Sequence, residues 1–317
     1  MFVRLLVAVI SFSISLSTAS AQVGSCEMFD LAPAGLGCEG STHLLSLEIA
    51  RRSTEKILFS FSSAFDCKTI PTESEFLPNR KGCQAAKQKN WTSGEKVVVE
   101  RAMSFLVGNP KLEHFFRALS KNGPIQIFRS QQSTEQNGFG VLGYFSNNYP
   151  KGLVLTDLFF KSVLDWSTKC EGFMFEDPKR EISRVILHEL AHQFDSTMND
   201  LSQDCSLRKV LGWVEEGETY KGVDQKEVLS QRKEGARRMK TDNSRAPAVW
   251  SMEKAQAQGF PTLYSMTEPV ETLAEILTFY ALDEKVATYL KPDVFNWIDR
   301  YMQTDSKPAV HCPIKEM

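Results

Sequence analysis

The five residues His188-Glu189-Leu190-Ala191-His192 constrain this chain more than any other stretch. Around them Ile182, Val185, Ile186, Leu190 and Phe194 recur at helical spacing, which predicts an amphipathic helix over Glu181 to Ser196. The histidines are four positions apart, so on a helix both imidazoles leave one face about a turn apart. Two neighbouring nitrogens in that arrangement suit a tetrahedral Zn²⁺. Glu189 then stands beside the metal without binding it, where a carboxylate can take a proton from zinc-bound water and pass it to a leaving amine. The chain has five histidines. Random placement of so few produces this pattern in under about one such chain in a hundred.

A hydrolytic zinc keeps one position for water and needs a third protein ligand. No third histidine follows soon after the pair; Gln193-Phe194-Asp195-Ser196 comes instead, and His43, His114 and His311 have no supporting context. Farther on, Val270, Leu273, Ile276, Leu277 and Tyr280 define a second strongly amphipathic helix over Thr267 to Asp283. Glu271 and Glu275 lie one turn apart on it, beside an apolar seam where carboxylates are costly unless paired or metal-bound. Glu271 as third ligand, with Glu275 bonding a ligand histidine from behind, satisfies both; an exposed acidic edge of the helix is the alternative. Asp195, one turn beyond His192, is open between binding zinc, orienting a histidine and capping the helix end. Asp204, Glu215, Glu216 and Glu218 are weaker rivals, set in a polar stretch without an apolar face to bring them inward.

These two helices together resemble those of the gluzincin metallopeptidases, and in particular the catalytic domain of anthrax lethal factor and its relatives. That family carries the two-histidine helix and a later helix written Tyr, six residues, Glu, three residues, Glu. Tyr264, Glu271 and Glu275 stand in that register, and Ala274 fits the small position before the last Glu. The resemblance covers about residues 125 to 290. It implies an α+β zincin-like catalytic domain, Glu271 as the third zinc ligand, and Tyr264 as a hydrogen-bond donor to the tetrahedral oxyanion. Two departures stand out. The connection from His192 to Glu271 spans 79 positions, longer than usual, which marks the charged 214 to 246 region as an insertion able to form a lid or part of a substrate groove. The family's Asp-Phe between the glutamates is Thr272-Leu273 here.

The N-terminus reads as an export signal over residues 1 to 21. Arg4 supplies the positive region, Leu5 to Leu16 the apolar stretch, and Ala19-Ser20-Ala21 a cleavage site. The mature protein is then secreted or periplasmic, with lipid attachment at Cys26 as the alternative. An oxidising compartment favours disulfides among the seven cysteines, all of which follow the signal. No later segment offers ~20 uninterrupted apolar residues, so no stable membrane insertion is expected after signal removal. A net charge of -2 gives no reason to expect a nucleic-acid partner.

Residues 22 to 122 are expected to form a mostly helical, disulfide-containing region. It would hold a helix over Thr42 to Phe61, a bridged loop over residues 66 to 94, and helices over Glu95 to Leu106 and Lys111 to Leu119. Residues 123 to 317 then form the catalytic domain. Short β-prone runs at Ile125 to Phe128, Phe139 to Phe145 and Gly152 to Leu155 make a small twisted sheet leading directly into the histidine helix. Residues 214 to 246 read as a solvated charged helix, and Pro292 to Met302 as a last helix packed on the glutamate helix. The activity expected is peptide-bond hydrolysis on a peptide or protein substrate by zinc-activated water. The alternative is a silent zincin-fold binding or toxin-like protein with a structural zinc.

Overall fold

The computed structural model describes residues 43–48, 56–62, 90–130, 135–136, 139–140, 142–146, 152–169, 174–175, 177–214, 219–242, 246–304 and 307–312. Five strands form one mixed sheet in the order β1 (His43–Glu48), β2 (Lys56–Ser62), β3 (Ile125–Arg129), β7 (Gly152–Leu155) and β6 (Gly143–Ser146). The inner strands β2, β3 and β7 run parallel, and the two edges β1 and β6 pair antiparallel to them. A short hairpin of β4 (Glu135–Gln136) and β5 (Phe139–Gly140) precedes β6.

Strands replace the helix expected over Thr42 to Phe61. In Lys56–Ser62 the apolar residues Ile57, Phe59 and Phe61 alternate, all three are fully buried, and β2 runs parallel to β3. Short apolar runs satisfy either period locally, and the sheet partner decides between them. The same pairing carries the sheet across the boundary expected near residue 122.

Between β2 and β3 the chain forms α1 (Ser93–Val107) and α2 (Glu113–Ser120). Thr92 starts α1 with a reciprocal cap: its hydroxyl accepts from Glu95 N, and the Glu95 carboxylate accepts from Thr92 N. Glu95 also accepts from the buried guanidinium of Arg129 at 2.8 Å, and Arg129 bonds Asp157 at the start of α3 (Asp157–Lys169). This ion cluster fastens two helix starts to the end of β3. Helix α3 was not foreseen, although its buried Phe159 and Val163 are four residues apart.

Helix α4 (Pro178–Thr197) crosses beneath the sheet. Asp177 caps it by accepting from Lys179 N, Pro178 fills its first turn, and Ile182, Val185, Ile186, Leu190 and Phe194 enter the core. It ends where Asn199 and Asp200 turn left-handed, at φ 61° and 53°. The chain continues through α5 (Cys205–Leu211), the hairpin β8 (Trp213–Val214) and β9 (Thr219–Tyr220), the charged α6 (Gln225–Thr241), and α7 (Ala246–Gln256). Then come α8 (Pro269–Leu282), the short α9 (Val286–Tyr289) and α10 (Pro292–Gln303). Helix α8 packs along α4, and α10 lies against α8 as expected.

A disulfide joins Cys205 to Cys312. It pins the last described segment beside the end of α4, where Ala309 N donates to Met198 O and Cys205 N to Val310 O. Cys26, Cys38, Cys67, Cys83 and Cys170, the expected signal and the expected bridged loop up to residue 89 lie outside the described residues. None of the described helices is long and apolar enough to cross a membrane.

Candidate metal centre

Helices α4 and α8 bring His188, His192 and Glu271 together, with one donor atom from each lying within 4.8 Å of the other two. Glu271 Oε2 is 3.1 Å from His188 Nε2 and 3.4 Å from His192 Nε2. Tetrahedral bonds of about 2.0–2.1 Å to a shared zinc place ligand atoms about 3.3–3.4 Å apart, so the spacing fits one ion. The three residues thus form a possible metal-binding triad, on the positions that the sequence singled out.

The charges around the triad are tightly coupled. Burial disfavours an imidazolium at His188, yet its hydrogen bonds to the Glu271 and Glu275 carboxylates outweigh this and push the pKa up to about 10. Burial likewise raises the Glu271 carboxyl, but the two histidines hold it far below the usual range. A cation held by the three donors would take the place of that proton.

Glu275 is almost wholly buried and takes the position expected behind the ligands: its Oε1 is 2.7 Å from His188 Nδ1. That bond turns Nε2 towards Glu271. Burial pushes the Glu275 carboxyl up, while His188, the nearby Arg184 and a bond from Thr262 bring it below its ordinary value. Arg184 is held in turn by Glu181 at 2.7 Å.

Glu189 faces β6, where Phe145 N–H donates to its carboxylate. Gly143 makes that approach possible, since a Cβ there would lie 3.3 Å from Glu189 Cγ and 3.1 Å from Val154 O. Burial lifts the Glu189 carboxyl above the usual range, and the two histidines pull it only part of the way back. Tyr264 stacks on His188 with ring centroids 5.7 Å apart and an interplanar angle of 30°. Burial raises its phenol strongly, and the negative charge and hydrogen bond of Glu271 raise it further, so it stays a donor. The side chain is still 37% exposed.

Asp195 is not among the three donors of the triad. Its Oδ1 accepts from Ser202 N and its Oδ2 from Ser202 Oγ at 3.1 Å, which fixes the 3-10 turn Leu201–Gln203 after α4. Both oxygens thus serve this turn, and His192 also acts on the Asp195 carboxylate through its charge. Asp204 caps α5 by accepting from Ser206 N and Leu207 N. Glu215, Glu216 and Glu218 lie outside the described residues.

Sequence reasoning missed a set of buried hydroxyls that presents Tyr264. Thr262 Oγ1 donates to Glu275 Oε2 at 2.6 Å and accepts from Ser265 N, while Ser265 Oγ donates to Thr262 O at 2.6 Å. Thr272 donates to Ser265 O and also meets Tyr220 Oη. Thus Thr272, between the two glutamates, braces the tyrosine loop from within α8. The only trace in the sequence is Thr and Ser three apart around Tyr264, a common turn pattern.

Compared with family models, curated proteins and solved structures, the chain matches none.

Proposed function

We propose that this protein is an exported zinc-dependent endopeptidase with a gluzincin-type, zincin-like catalytic domain. The observation that carries the reading is the convergence of His188, His192 and Glu271 with Glu189 alongside. Two imidazoles and one carboxylate are the donor set of open, hydrolytic zinc sites. Bound there, zinc would supply an acidified water and polarise the scissile carbonyl.

The residues then divide the work. Glu189 accepts the water proton at its carboxylate and returns it to the departing amine; its raised pKa brings it closer to the value a shuttle needs. Tyr264 donates its phenol proton in a hydrogen bond to the oxygen that becomes negative at the tetrahedral stage. Glu275 keeps His188 oriented through Nδ1, and Thr262 ties Glu275 to the loop that carries Tyr264. Strand β6, an edge of the five-stranded sheet, runs beside Glu189 and offers backbone groups for pairing with an extended peptide. The Cys205–Cys312 bond suits an oxidising compartment and hence the export expected from residues 1 to 21.

The test is metal analysis of the purified chain paired with unbiased peptide-cleavage profiling, with and without chelator. Glu189→Gln is expected to lower turnover about 10²–10⁴-fold with metal content unchanged. Loss of metal together with activity would refute the division of roles. Cleavage by neither protein, despite one bound zinc, would reduce the centre to a structural site.

A further inference from the structure

Tyr264 stands on a turn whose flanking residues are buried while the tyrosine itself is not. Thr262 N donates to Ser265 Oγ at 3.3 Å, and Ser265 N donates to Thr262 Oγ1 at 3.2 Å. That second N–H belongs to the peptide group that follows Tyr264, so the Thr262 hydroxyl holds the tyrosine by its own backbone. A hydroxyl carries one proton, and an ionised carboxylate only accepts. At 2.6 Å from Glu275 Oε2, the Thr262 hydroxyl therefore points its proton at Glu275 and turns a lone pair towards Ser265 N–H. The other oxygen of Glu275 lies 2.7 Å from His188 Nδ1, and the ring's Nε2 faces Glu271. Hydrogen bonds in series thus run from a candidate metal ligand to the backbone of Tyr264. His188, Glu275, Thr262 and Ser265 are all buried, where each bond polarises the next without competition from water. Thr272 grips the same turn at Ser265 O, but its hydroxyl bonds Glu268 O and Tyr220 rather than the carboxylate behind His188.

Building on the peptidase reading above, we propose that Thr262 is a positioning residue that makes the placement of the Tyr264 phenol depend on whether a cation occupies the triad. With Nε2 held by a cation, the His188 ring and the Glu275 carboxylate behind it are fixed together. The direction of the Thr262 hydroxyl is then fixed too, and with it the peptide group of Tyr264. The hydrogen-bond donor for the oxyanion is thereby aligned in the state that can polarise a scissile carbonyl. Alignment matters at this scale, since a displacement of about 1 Å costs about 10²-fold in rate.

The test compares the full chain with Thr262→Val, which keeps the shape and deletes the hydroxyl, and with Thr262→Ser, which restores it. Amide exchange at Ser265 is followed with and without zinc, using amides of α10 as the reference for any general stabilisation. In the parent and in Thr262→Ser, zinc should slow the Ser265 amide about tenfold more than the reference. In Thr262→Val that excess should vanish, whereas Thr272→Val should keep it. At saturating zinc, Thr262→Val should lower kcat about 10–100-fold with KM unchanged, and Thr262→Ser should recover most of the loss. In a Tyr264→Phe background the same change should cost nothing more, because the hydroxyl acts through that tyrosine. A Ser265 amide that ignores zinc in the parent overturns the proposal, and this outcome is readable even should Thr262→Val fail to fold. Equal losses in the Ser and Val variants, or losses that add to that of Tyr264→Phe, overturn it as well. So does an unchanged kcat in Thr262→Val with weakened zinc binding, which would make the hydroxyl a support of His188 alone. Zinc-linked protection that Thr262→Val uncouples, in a protein that cuts no peptide, would sink the peptidase reading and leave the coupling standing. Cleavage without such protection would do the reverse.

Discussion

Helix α8 buries every side chain from Thr272 to Leu282, whereas α6, a slightly longer helix, buries only Val228 and Gly235. Both border the centre, one from inside and one from outside. Helix α8 has no side-chain cap hydrogen bond at its start and holds its place by packing against α4. Helix α6 depends on local devices. Asp224 caps it by accepting from Lys226 N and Glu227 N, Glu234 bonds Arg237 and Arg238 along its surface, and Gln225 and Arg232 attach it to the tyrosine loop. A ligand-bearing element must not shift by fractions of an ångström, and close packing supplies that rigidity. A helix that buries little of its surface can be held by such local devices and stays more loosely tied.

Truncation separates these two modes most sharply. Leu277→Ala in α8 removes a fully buried side chain and is expected to cost about 2–5 kcal/mol. Leu229 on α6 is 49% exposed. Its replacement by Ala should stay within about 0.5 kcal/mol. Denaturant unfolding of both variants measures the contrast, and equal costs would end it.

The disulfide offers the next largest effect. Cys205 and Cys312 are 107 positions apart, and the loop they close contains both α6 and α8. Its loss in a Cys205→Ser, Cys312→Ser variant is expected to cost about 2–4 kcal/mol, chiefly by freeing the unfolded chain. Amide exchange should rise first around Met198 to Ser202, since the segment bonded there is released. A rise confined to α6 would contradict the bracing of the end of α4 by the segment 307–312.

Legibility in the sequence follows the same division. Helices α4 and α8 announced themselves because burial writes a period of 3.6 into the residues, and the triad followed once two carboxylates were found on an apolar face. Tyr264 and its register came only from family resemblance; no physical rule marks that tyrosine. Strands β1 and β2 escaped because the run Lys56–Ser62 reads plausibly in two periods and its sheet partner lies more than sixty residues onward. The hydroxyl set around Thr262 and Thr272 escaped for another reason. Serine and threonine are common on surfaces, and only tertiary burial turns them into a brace. The two hydrogen bonds of Asp195 could not be read from helical spacing, because their partner Ser202 lies in the turn after α4.

Between packing and surface charge stands the polar bond from Glu275 to His188, behind the candidate triad. Glu275→Gln keeps the shape of α8 while weakening the bond to His188, and zinc affinity is expected to fall about 10–100-fold. Competition with a chelating dye reads this directly. Glu234→Gln on α6, a change of the same kind far from the triad, should leave affinity untouched. Equal losses would mean that α6 bears on the metal as much as α8 does.

The smallest effect concerns α6 alone and has a definite pH sign. Arg237 and Arg238 hold the Glu234 carboxyl down at about 2, through hydrogen bonds on an exposed helix face. Its folded-state value lies below its unfolded one, so its contribution is complete above about pH 4.3 and drains away as the pH falls towards 2. At pH 7 the Glu234→Gln variant should therefore exchange amides within Gln225–Thr241 slightly faster than the parent. Near pH 2 the two proteins should match in that helix, and amides of α8 should not distinguish them at either pH. High salt at pH 7 should narrow the gap by screening the same pairs. A difference that persists in acid would mean that α6 is held by something other than its surface charges, and the contrast with α8 would lose its physical basis.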